Sequence, residues 1–358
     1  MRIAQIAPLA ERVPPTAYGG IELVVGLLTD ELVKRGHEVT LFASGDSISL
    51  AKLVSVHPRA LRLDPDVKEH TIYEMLQLGL VYERAEEFDI IHSHVCCSAL
   101  PYANLVKTPT VHTLHGIFTP DNEKMFQYAK HQPFVSISNA QREMRLGLNY
   151  AATVYNGIDV SSYKFYSQPD NPPYLAFLGR ISPEKGTHLA IAIAKRTGWH
   201  LKIAGKVDVV DQEYYEQEIQ PHIDGKQIEY LGEANHQQKN VLMGGAVATL
   251  FPITWREPFG LVMVESMAAG TPVIAMKLGS TVEVISHGKT GFLCENVEDF
   301  ITVIDKVADI DRNECRQHVE KHFSLQNMVD GYEAAYQQII AERFTKNGYV
   351  PSVAGVGY

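Results

Sequence analysis

The sequence predicts an α/β protein with two domains, each built on a parallel sheet. Three observations predict this class. Short apolar segments typical of strands alternate with longer segments whose apolar residues follow a helical period. The length of 358 residues is sufficient for two hydrophobic cores. The stretch Ser161–Pro173 is polar, rich in turn-forming residues and without periodicity, so it is the best candidate for a domain boundary.

The composition is that of an ordinary globular enzyme, with 45% hydrophobic and 21% charged residues. A net charge of −10 argues against a nucleic-acid partner, because phosphate binding requires clustered Lys and Arg. The four cysteines lack the spacing of a zinc site or a disulfide framework. No apolar run approaches the roughly 20 residues of a membrane span, and the first residues are typical of a strand rather than a signal peptide. We therefore expect a cytoplasmic protein.

The first domain is expected to begin with a strand–helix–strand unit. Its parts are Arg2–Pro8, Ile21–Arg35 and Glu38–Ala43. Gly19 and Gly20 precede the helix, where glycine lets backbone amides approach an anion closely. An ordinary tight turn is the alternative for this pair. The dinucleotide fingerprint G-x-G-x-x-G is absent, which argues against a nicotinamide cofactor.

Histidines mark two later strands of the first half. Asp89–His94 is typical of a strand that places His92 and His94 on one face. No third ligand is arranged nearby by spacing, so packing or a place in a cleft is favoured over a metal site. His115 follows the strand Thr110–Thr113, and open α/β sheets bind ligands at the carboxyl ends of strands. We expect His115 to be functional, with a purely structural histidine as the alternative.

Two cations follow the first strand of the second half. Tyr174–Leu178 is typical of a strand and Thr187–Thr197 of a helix, and Arg180 and Lys185 lie in the loop between them. In that position Arg as a fork and Lys as a point charge can hold a diphosphate. The alternative is a pair of solvated surface charges.

The most informative stretch is Thr249–Met276, which is typical of a strand, a loop, a helix and another strand. Pro258 suits the first position of the helix, which runs to Ala269 and is apolar nearly all round, so we expect it to be buried. Glu265 lies within this helix, and a buried carboxylate requires a basic partner, a hydrogen-bonding ligand or a crevice. Glu257 precedes the helix, where free backbone N–H groups favour an anion.

Two carboxylates beside a helix N-terminus suit a polyhydroxylated, negatively charged molecule. The carboxylates would accept hydrogen bonds from sugar hydroxyls, and the helix N-terminus would bind phosphates. The alternative is that Glu257 only caps the helix and that Glu265 pairs with a neighbouring Lys or Arg. Asp64-Pro-Asp66 has the outline of a metal-binding motif, but it lies in the other half of the chain, so no metal site is predicted.

The segment Glu257-Pro-Phe-Gly-Leu-Val-Met-Val-Glu265 resembles the Glu-x7-Glu signature of retaining nucleotide-sugar glycosyltransferases of family 4. The flanking residues Ser266-Met-Ala-Ala-Gly-Thr-Pro-Val agree, as does the Gly-Arg-x4-Lys-Gly element that contains Arg180 and Lys185. Members of this family have the GT-B fold, in which two Rossmann-like domains with parallel sheets face each other across a cleft. The family commonly has Gly-Gly where this chain has Gly279-Ser280, which argues against a phosphate role for that loop.

The resemblance also implies a domain organisation. Residues 1–165 would form the acceptor-binding domain and residues 166–325 the donor-binding domain. A helix over residues 326–344 would cross back onto the first domain, and residues 345–358 would form a loose tail.

Roles for individual residues follow from the same resemblance. Arg180 and Lys185 would bind the donor diphosphate. Glu257 would hold the sugar hydroxyls and Glu265 the ribose diol, while His115 would orient the sugar from the opposite domain. The further donor contacts implied are Gly19 and Gly20 facing the diphosphate, Ala234 and Lys239 beside the nucleobase, and the backbone amides of Phe259, Gly260 and Leu261.

These roles imply transfer of a sugar, with retention of configuration, from a UDP-, GDP- or ADP-sugar to a saccharide, glycolipid or small-molecule acceptor. No cofactor and no metal is expected, because protein cations would stabilise the departing diphosphate. Peripheral contact with the inner face of a membrane stays open, since glycolipid acceptors are common among relatives. Two alternatives share the donor site: a GT-B nucleotide-sugar epimerase or hydrolase, and a non-catalytic nucleotide-sugar-binding module.

Overall fold

A computed structural model describes residues 1–346, with side chains as far as Arg343. Within this part of the chain, the strands form one sheet of seven and one of six. The first sheet contains β1 (Arg2–Ile6), β2 (Glu38–Phe42), β3 (Lys52–Val54), β4 (Ile90–Ser93), β5 (Thr110–Leu114), β6 (Phe134–Ser136) and β7 (Tyr150–Thr153). The second contains β8 (Leu175–Leu178), β9 (Leu201–Ala204), β10 (Ile228–Tyr230), β11 (Ala248–Phe251), β12 (Val273–Met276) and β13 (Gly291–Cys294).

Helices connect the strands and cover the sheets. Those of the first half are α1 (Gly20–Lys34), α2 (His70–Glu83), α3 (Leu100–Ala103) and α4 (Asn122–Tyr128). Those of the second half are α5 (Thr187–Thr197), α6 (Gln212–Tyr214), α7 (His236–Gly245), α8 (Leu261–Ala268), α9 (Thr281–Val284), α10 (Val297–Val303), α11 (Arg312–His322) and α12 (Leu325–Lys346). Among the described residues, no helix combines the length and the apolar character that crossing a membrane requires.

The strand order gives each sheet one point at which the winding reverses. The first sheet has the order β3-β2-β1-β4-β5-β6-β7 and the second β10-β9-β8-β11-β12-β13, with neighbours parallel. The reversal lies between β1 and β4 in one sheet and between β8 and β11 in the other. Open α/β sheets bind ligands outside the carboxyl ends of strands at such points. The loops after these strands are therefore where a site is expected.

The last helix returns to the first domain. Met328, Val329 and Tyr332 of α12 are buried in one core with Ile3 of β1 and Ile90 of β4. This arrangement buries apolar side chains of α12 against the first sheet although the helix follows the second sheet in the chain. The predicted α/β class, with two parallel sheets and a last helix that crosses back, is confirmed.

A carboxylate of the second domain also holds the two domains together. Glu283, on α9, accepts hydrogen bonds from the backbone N–H groups of Asn139 at 2.9 Å and Ala140 at 2.7 Å. It also accepts one from the Tyr155 hydroxyl at 2.7 Å. The sequence predicts that a helix begins at Ser138 and Asn139, but the structure has a loop there. Glu283 satisfies the backbone amides of Asn139 and Ala140 in this loop.

Three further predictions about elements differ from the structure. The strands β3 and β7 were not predicted, and both lie at edges of the first sheet. Their residues are mostly half-buried, so they lack the continuous apolar run of the central strands. The tail predicted for residues 345–358 begins two residues too early, since Thr345 and Lys346 still belong to α12. The rest of that tail lies outside the described residues.

Candidate active site

A cavity of about 330 Å³ lies between the two domains, at the carboxyl ends of β1, β5, β8 and β11. Its volume is within the range of small-ligand sites. The sequence-predicted residues that line it are Gly19, Gly20, His115, Arg180, Lys185, Ala234, Lys239, Glu257, Phe259, Gly260, Leu261 and Glu265. The structure therefore brings all of the predicted site residues to one place, and their individual roles stay predictions.

The helix that carries the second glutamate begins later than the sequence predicts. Pro258 was expected at its first position, but α8 starts at Leu261. Gly260 precedes it with a φ of 79°, a left-handed conformation that ends any helical continuation toward Pro258. Within the described residues, the backbone N–H groups of Phe259, Gly260 and Leu261 have no hydrogen-bond partner. The loop thus leaves three donors for a ligand, whereas a regular helix starting at Pro258 would have used the N–H group of Leu261 in its first intrahelical hydrogen bond.

Glu257 is held by donors from its own domain. Lys185 Nζ lies 2.6 Å from Glu257 Oε2, and the Trp255 indole N–H donates to the same oxygen at 2.9 Å. Glu257 is buried, and no side chain caps α8. The alternative that Glu257 merely caps the helix therefore does not describe this structure. Lys185 therefore contacts the carboxylate that is predicted to hold the sugar, in addition to lining the space predicted for the diphosphate.

Glu265 is buried within α8 and carries two donors on one oxygen. Lys239 Nζ lies 2.7 Å and the Tyr163 hydroxyl 2.9 Å from Glu265 Oε1. Burial works to raise the pKa of Glu265, but Lys239 and Tyr163 lower it below its usual value, so the side chain is ionised at neutral pH. The alternative that Glu265 pairs with a lysine is correct for one of its two oxygens, Oε1. The carboxylate nevertheless lines the cavity, where Oε2 has no partner within the described residues.

Arg180 lies among carboxylates of its own domain. It forms an ion pair with Glu184, and its Nε is 3.7 Å from Asp211 Oδ2 and its Nη1 3.8 Å from Asp208 Oδ2. Burial works against its charge, but Glu184 and Asp211 raise the pKa of Arg180 above its usual value. The guanidinium is therefore permanently charged at the cavity wall, and an arriving diphosphate has to compete with these acidic neighbours.

His115 is presented by the first domain, directly after β5. Its Nε2 lies 2.9 Å from His94 Nδ1, and its ring stacks on that of His94. Burial lowers the pKa of His115 to about 4, so the imidazole is neutral at pH 7. The prediction that His92 and His94 share one face of a strand is confirmed, since their ring centres are 3.9 Å apart.

The glycine loop comes close to the second domain. A Cβ built on Gly20 would lie 3.4 Å from Leu261 Cδ1, so a larger side chain here would crowd the start of α8. Two residues before Gly20, Tyr18 donates its backbone N–H to Glu233 Oε1 at 3.1 Å. Arg62 Cζ lies 5.5 Å and Lys206 Nζ 5.6 Å from the centre of the Tyr18 ring. The cleft is thus closed at this edge by contacts from both sides.

Four residues of the site were missed by the sequence analysis. Trp255 and Tyr163 donate to the two glutamates, and Tyr18 bridges the cleft. Asn156 lines the cavity, and its buried Oδ1 has no hydrogen-bond partner within the described residues. The one signal in the sequence is the Asn156-Gly157 pair, which is typical of a turn and lies shortly before the polar stretch between the domains.

Possible metal ligands are dispersed. The described residues contain no group of three or more His, Cys, Asp or Glu side chains arranged to hold a metal ion. The carboxylate of Asp64, from the Asp64-Pro-Asp66 motif, pairs instead with His57 Nε2 at 3.0 Å. His92 and His94 use their ring nitrogens in hydrogen bonds to protein groups.

Two parallel sheets with a ligand cavity between their carboxyl ends define the GT-B class of glycosyltransferases, and solved structures of that class agree. The sucrose-phosphate synthase of Thermosynechococcus elongatus matches with a TM-score of 0.78 and 17% identity, over 96% of this chain and 100% of that one. The Anabaena protein HepE in complex with UDP and glucose matches with a TM-score of 0.73 and 18% identity, over 94% and 100%. These similarities show the fold.

Two family models match adjacent parts of the chain. The model described as Glycosyltransferase Family 4 matches residues 18–162, and the model described as Glycosyl transferases group 1 matches residues 162–322. Together they cover most of the chain, which therefore belongs to the glycosyltransferases of family 4. The resemblance seen in the Glu-x7-Glu segment is confirmed, and the protein is a hexosyltransferase of this family.

Relatives of known activity are distant but match along most of their length. The N-acetyl-alpha-D-glucosaminyl L-malate synthase of Bacillus anthracis is 26% identical over 386 residues, which cover 93% of this chain and 97% of that protein. The glycogen synthase of Mycobacterium tuberculosis is 25% identical over 333 residues, which cover 78% and 80%. The names of the two relatives describe the synthesis of different products.

Proposed function

We propose that this enzyme transfers a hexose from a nucleoside diphosphate donor with retention of anomeric configuration and without a metal ion. The observation that carries the proposal is the composition of the cavity wall. Two cations, Arg180 and Lys185, and two carboxylates, Glu257 and Glu265, face His115 from the opposite domain. Cations suit the diphosphate, and carboxylates suit the hydroxyls of the sugar and the ribose.

Within the part of the chain that the structure describes, the cavity lining offers no well-suited general base, and this supports retention. The carboxylates that line the cavity within the described residues are Glu233, Glu257 and Glu265, and each already accepts a hydrogen bond from the protein. His115 is neutral, but a pKa of about 4 makes it a weak base at neutral pH. An inverting transfer requires a general base that deprotonates the acceptor. The three carboxylates and His115 are poorly suited to that role.

In the proposed reaction the bond between the anomeric carbon and the β-phosphate oxygen breaks. The acceptor oxygen forms its bond to that carbon on the same face, and the acceptor proton passes to the departing diphosphate. Arg180, Lys185 and the free N–H groups at the start of α8 stabilise the negative charge that develops on the diphosphate. Because these groups are part of the protein, no divalent cation is required for this step.

The chemistry of the cavity wall limits the nucleotides and acceptors that the enzyme could use, but it does not select a single one. A UDP-, GDP- or ADP-sugar would each offer the diphosphate and the ribose diol that the cavity wall suits. HepE was solved with UDP and glucose, which supports a nucleotide-sugar donor here. The acceptor is a saccharide, a glycolipid or a small molecule with a free hydroxyl. For a glycolipid the first domain would have to approach the inner face of a membrane.

The test uses slow hydrolysis of the donor, so no acceptor has to be known. Wild-type enzyme is incubated with UDP-glucose, GDP-mannose or ADP-glucose, each an α-linked donor, and the sugar released is followed by NMR before it mutarotates. We expect the α anomer to appear first from one of the donors, at a rate that EDTA does not change. Release of the β anomer would contradict retention, and loss of activity in EDTA would contradict metal independence. A change in the sugar without release of nucleoside diphosphate would indicate an epimerase instead.

A further inference from the structure

A chain of buried polar side chains leads from His115 to the last helix. His115 Nε2 lies 2.9 Å from His94 Nδ1, and His94 Nε2 lies 3.0 Å from Gln5 Oε1. Gln5 Nε2 donates to the Tyr336 hydroxyl at 3.2 Å. Tyr336 belongs to α12, the helix that returns from the second domain, and its hydroxyl also lies 2.6 Å from His92 Nδ1.

Apart from His115, which lines the cavity, the side chains of this hydrogen-bonded chain are buried and fully paired. Gln5, His92 and Tyr336 have no exposed surface, and His94 has 1%. Every polar atom of these four side chains has a hydrogen-bond partner, whereas Nδ1 of the nearby His112 has none. Buried networks in which every group is satisfied hold their members in one arrangement, because breaking any bond leaves a desolvated polar group unpaired.

The rings in the chain are neutral, so each has one N–H and one lone pair. Burial lowers the pKa of His115 to about 4, and burial together with the neighbouring rings lowers the pKa values of His92 and His94 well below the usual value. Which nitrogen of a neutral imidazole carries the proton is decided by the hydrogen bond that the nitrogens make.

The direction of donation follows from Gln5. Its NH₂ group donates to Tyr336, so its Oε1, which only accepts, faces His94 Nε2. His94 therefore carries its proton on Nε2 and has a lone pair on Nδ1. His115 Nε2 must then donate to that lone pair, which leaves the lone pair of His115 on Nδ1. Within the described residues, His115 Nδ1 has no protein partner, and His115 lines the cavity.

We propose that His94, Gln5 and Tyr336 are positioning residues that hold His115 in the tautomer protonated on Nε2, so that Nδ1 accepts a hydrogen bond from a hydroxyl of the donor sugar. This inference rests on the proposed function, since it specifies how His115 meets the donor. It also gives α12 a part in the reaction. The Tyr336 hydroxyl of α12 lies at the far end of the hydrogen-bonded chain that orients His115.

The first readout is the tautomer of His115 itself, measured by ¹⁵N NMR of the histidine rings in the free enzyme. We expect the wild type to show a proton on Nε2 alone. His94→Leu removes the acceptor and should populate both tautomers, whereas His94→Asn keeps an oxygen near the position of Nδ1 and should retain the wild-type form. His112→Asn is the matched control, because it removes a buried histidine of the same sheet that has no bond to His115, and it should change nothing.

The second readout is the rate of donor consumption with UDP-glucose, GDP-mannose or ADP-glucose, whichever the wild type uses. His94→Leu and Tyr336→Phe should each lower kcat/KM about tenfold, the effect of one lost hydrogen bond, and His94→Asn should recover most of it. In a His115→Ala background, His94→Leu should have little further effect, because both changes act through the same ring. A purely structural role would give additive losses.

Failure of this inference and failure of the proposed function are distinguishable. If the wild type consumes no nucleotide-sugar, the proposed function fails, while the tautomer measurement is unaffected because it needs no substrate. If the wild type is active but His94→Leu leaves the His115 tautomer unchanged, or if its effect adds to that of His115→Ala, the positioning role is wrong.

Discussion

Glu265 is a buried carboxylate that pairs with the protein through one oxygen and lines the cavity. Two donors, Lys239 and Tyr163, share its Oε1, and this pairing keeps the carboxylate ionised despite its burial. With one oxygen occupied by the protein, the other is free to accept the hydrogen bonds that we propose for the ribose hydroxyls of the donor. Lys239 and Tyr163 would then fix the orientation in which the carboxylate meets that ligand.

Tyr163→Phe should weaken nucleoside diphosphate binding about tenfold, because Glu265 loses a donor and its carboxylate is less firmly oriented. Calorimetric titration at pH 7 measures this. The control is Tyr174→Phe, which removes a buried hydroxyl that donates to the Leu242 carbonyl at 2.9 Å and does not contact Glu265. Equal affinities for the wild type and Tyr163→Phe would show that Tyr163 only fills space.

At the scale of single residues, the sequence reveals the two carboxylates that line the cavity better than it reveals their hydrogen-bond partners. Glu257 and Glu265 are conspicuous because one flanks and the other interrupts an apolar helix. Tyr163 is not, because it contacts Glu265 across 102 positions in the chain and nothing in its own segment indicates that contact. Trp255 lies only two residues from Glu257, but a single Trp in a loop is no more typical of a donor than of packing.

Among the elements, the loop between β11 and α8 determines where the cavity begins. Ser280 donates its backbone N–H to the Glu257 carbonyl at 3.0 Å and its hydroxyl to the Phe259 carbonyl at 2.8 Å. Gly279 lies directly against the same loop. The Gly279-Ser280 pair, which departs from the common Gly-Gly of the family, thus supports the loop with an additional hydrogen bond.

Gly279→Ala should destabilise the protein and weaken donor binding. Its φ is +65°, and a Cβ would lie 2.5 Å from the backbone N and O of Glu257. We expect a loss of at least about 3 kcal/mol in the free energy of unfolding, from backbone strain and steric overlap together. Gly198→Ala is the control, because Gly198 has a similar φ of +75° in open space and should lose only about 1 kcal/mol.

Urea unfolding and nucleotide titration of both variants check this prediction. Similar losses in the two variants would show that the close approach to Glu257 is unimportant.

The glycine residues near the loop between β11 and α8 are visible in the sequence, but the first residue of α8 could not be predicted from it. Pro258 is well suited to the first position of a helix, and only the left-handed conformation of Gly260 shows that the helix begins at Leu261.

For the whole molecule, a group of buried neutral histidines makes stability depend on pH. Burial lowers the pKa values of His112 and His115 to about 4 from 6.5, and it lowers those of His92 and His94 well below 6.5. Between pH 4 and 6.5 the unfolded chain therefore binds more protons than the folded one. The free energy of unfolding rises with pH across this window and falls as the pH drops through it.

Urea unfolding at pH 7.5 and pH 5.0 measures this effect. The wild type should lose stability on acidification, and His112→Asn should lose about 2 kcal/mol less, because one buried histidine no longer titrates. Comparing the two pH values within each protein removes the cost of the substitution itself. An equal loss in both proteins would show that His112 titrates normally in the folded state.

The fold of the described residues could be predicted from the sequence, because strands and helices alternate regularly and a polar stretch separates the two halves. The contacts between the two halves could not be predicted from it. Glu283 is an ordinary surface residue by sequence, and its bonds to Asn139 and Ala140 join residues more than 140 positions apart. The hydrogen-bonded chain from His115 to Tyr336 likewise depends on α12 crossing back, which spacing along the chain cannot show.

The central claim is that the cavity between the domains binds the nucleoside diphosphate of a sugar donor. Calorimetric titration of UDP, GDP and ADP into the wild type, Arg180→Ala and Arg196→Ala tests it most directly. Arg196 is a matched control, because it is a surface arginine paired with Glu298 far from the cavity lining. We expect one nucleotide to bind the wild type and Arg196→Ala equally well, and Arg180→Ala at least tenfold more weakly, since a charge-assisted contact is lost. Binding of none of the three, or equal binding to Arg180→Ala, would contradict the assignment of the cavity as the donor site.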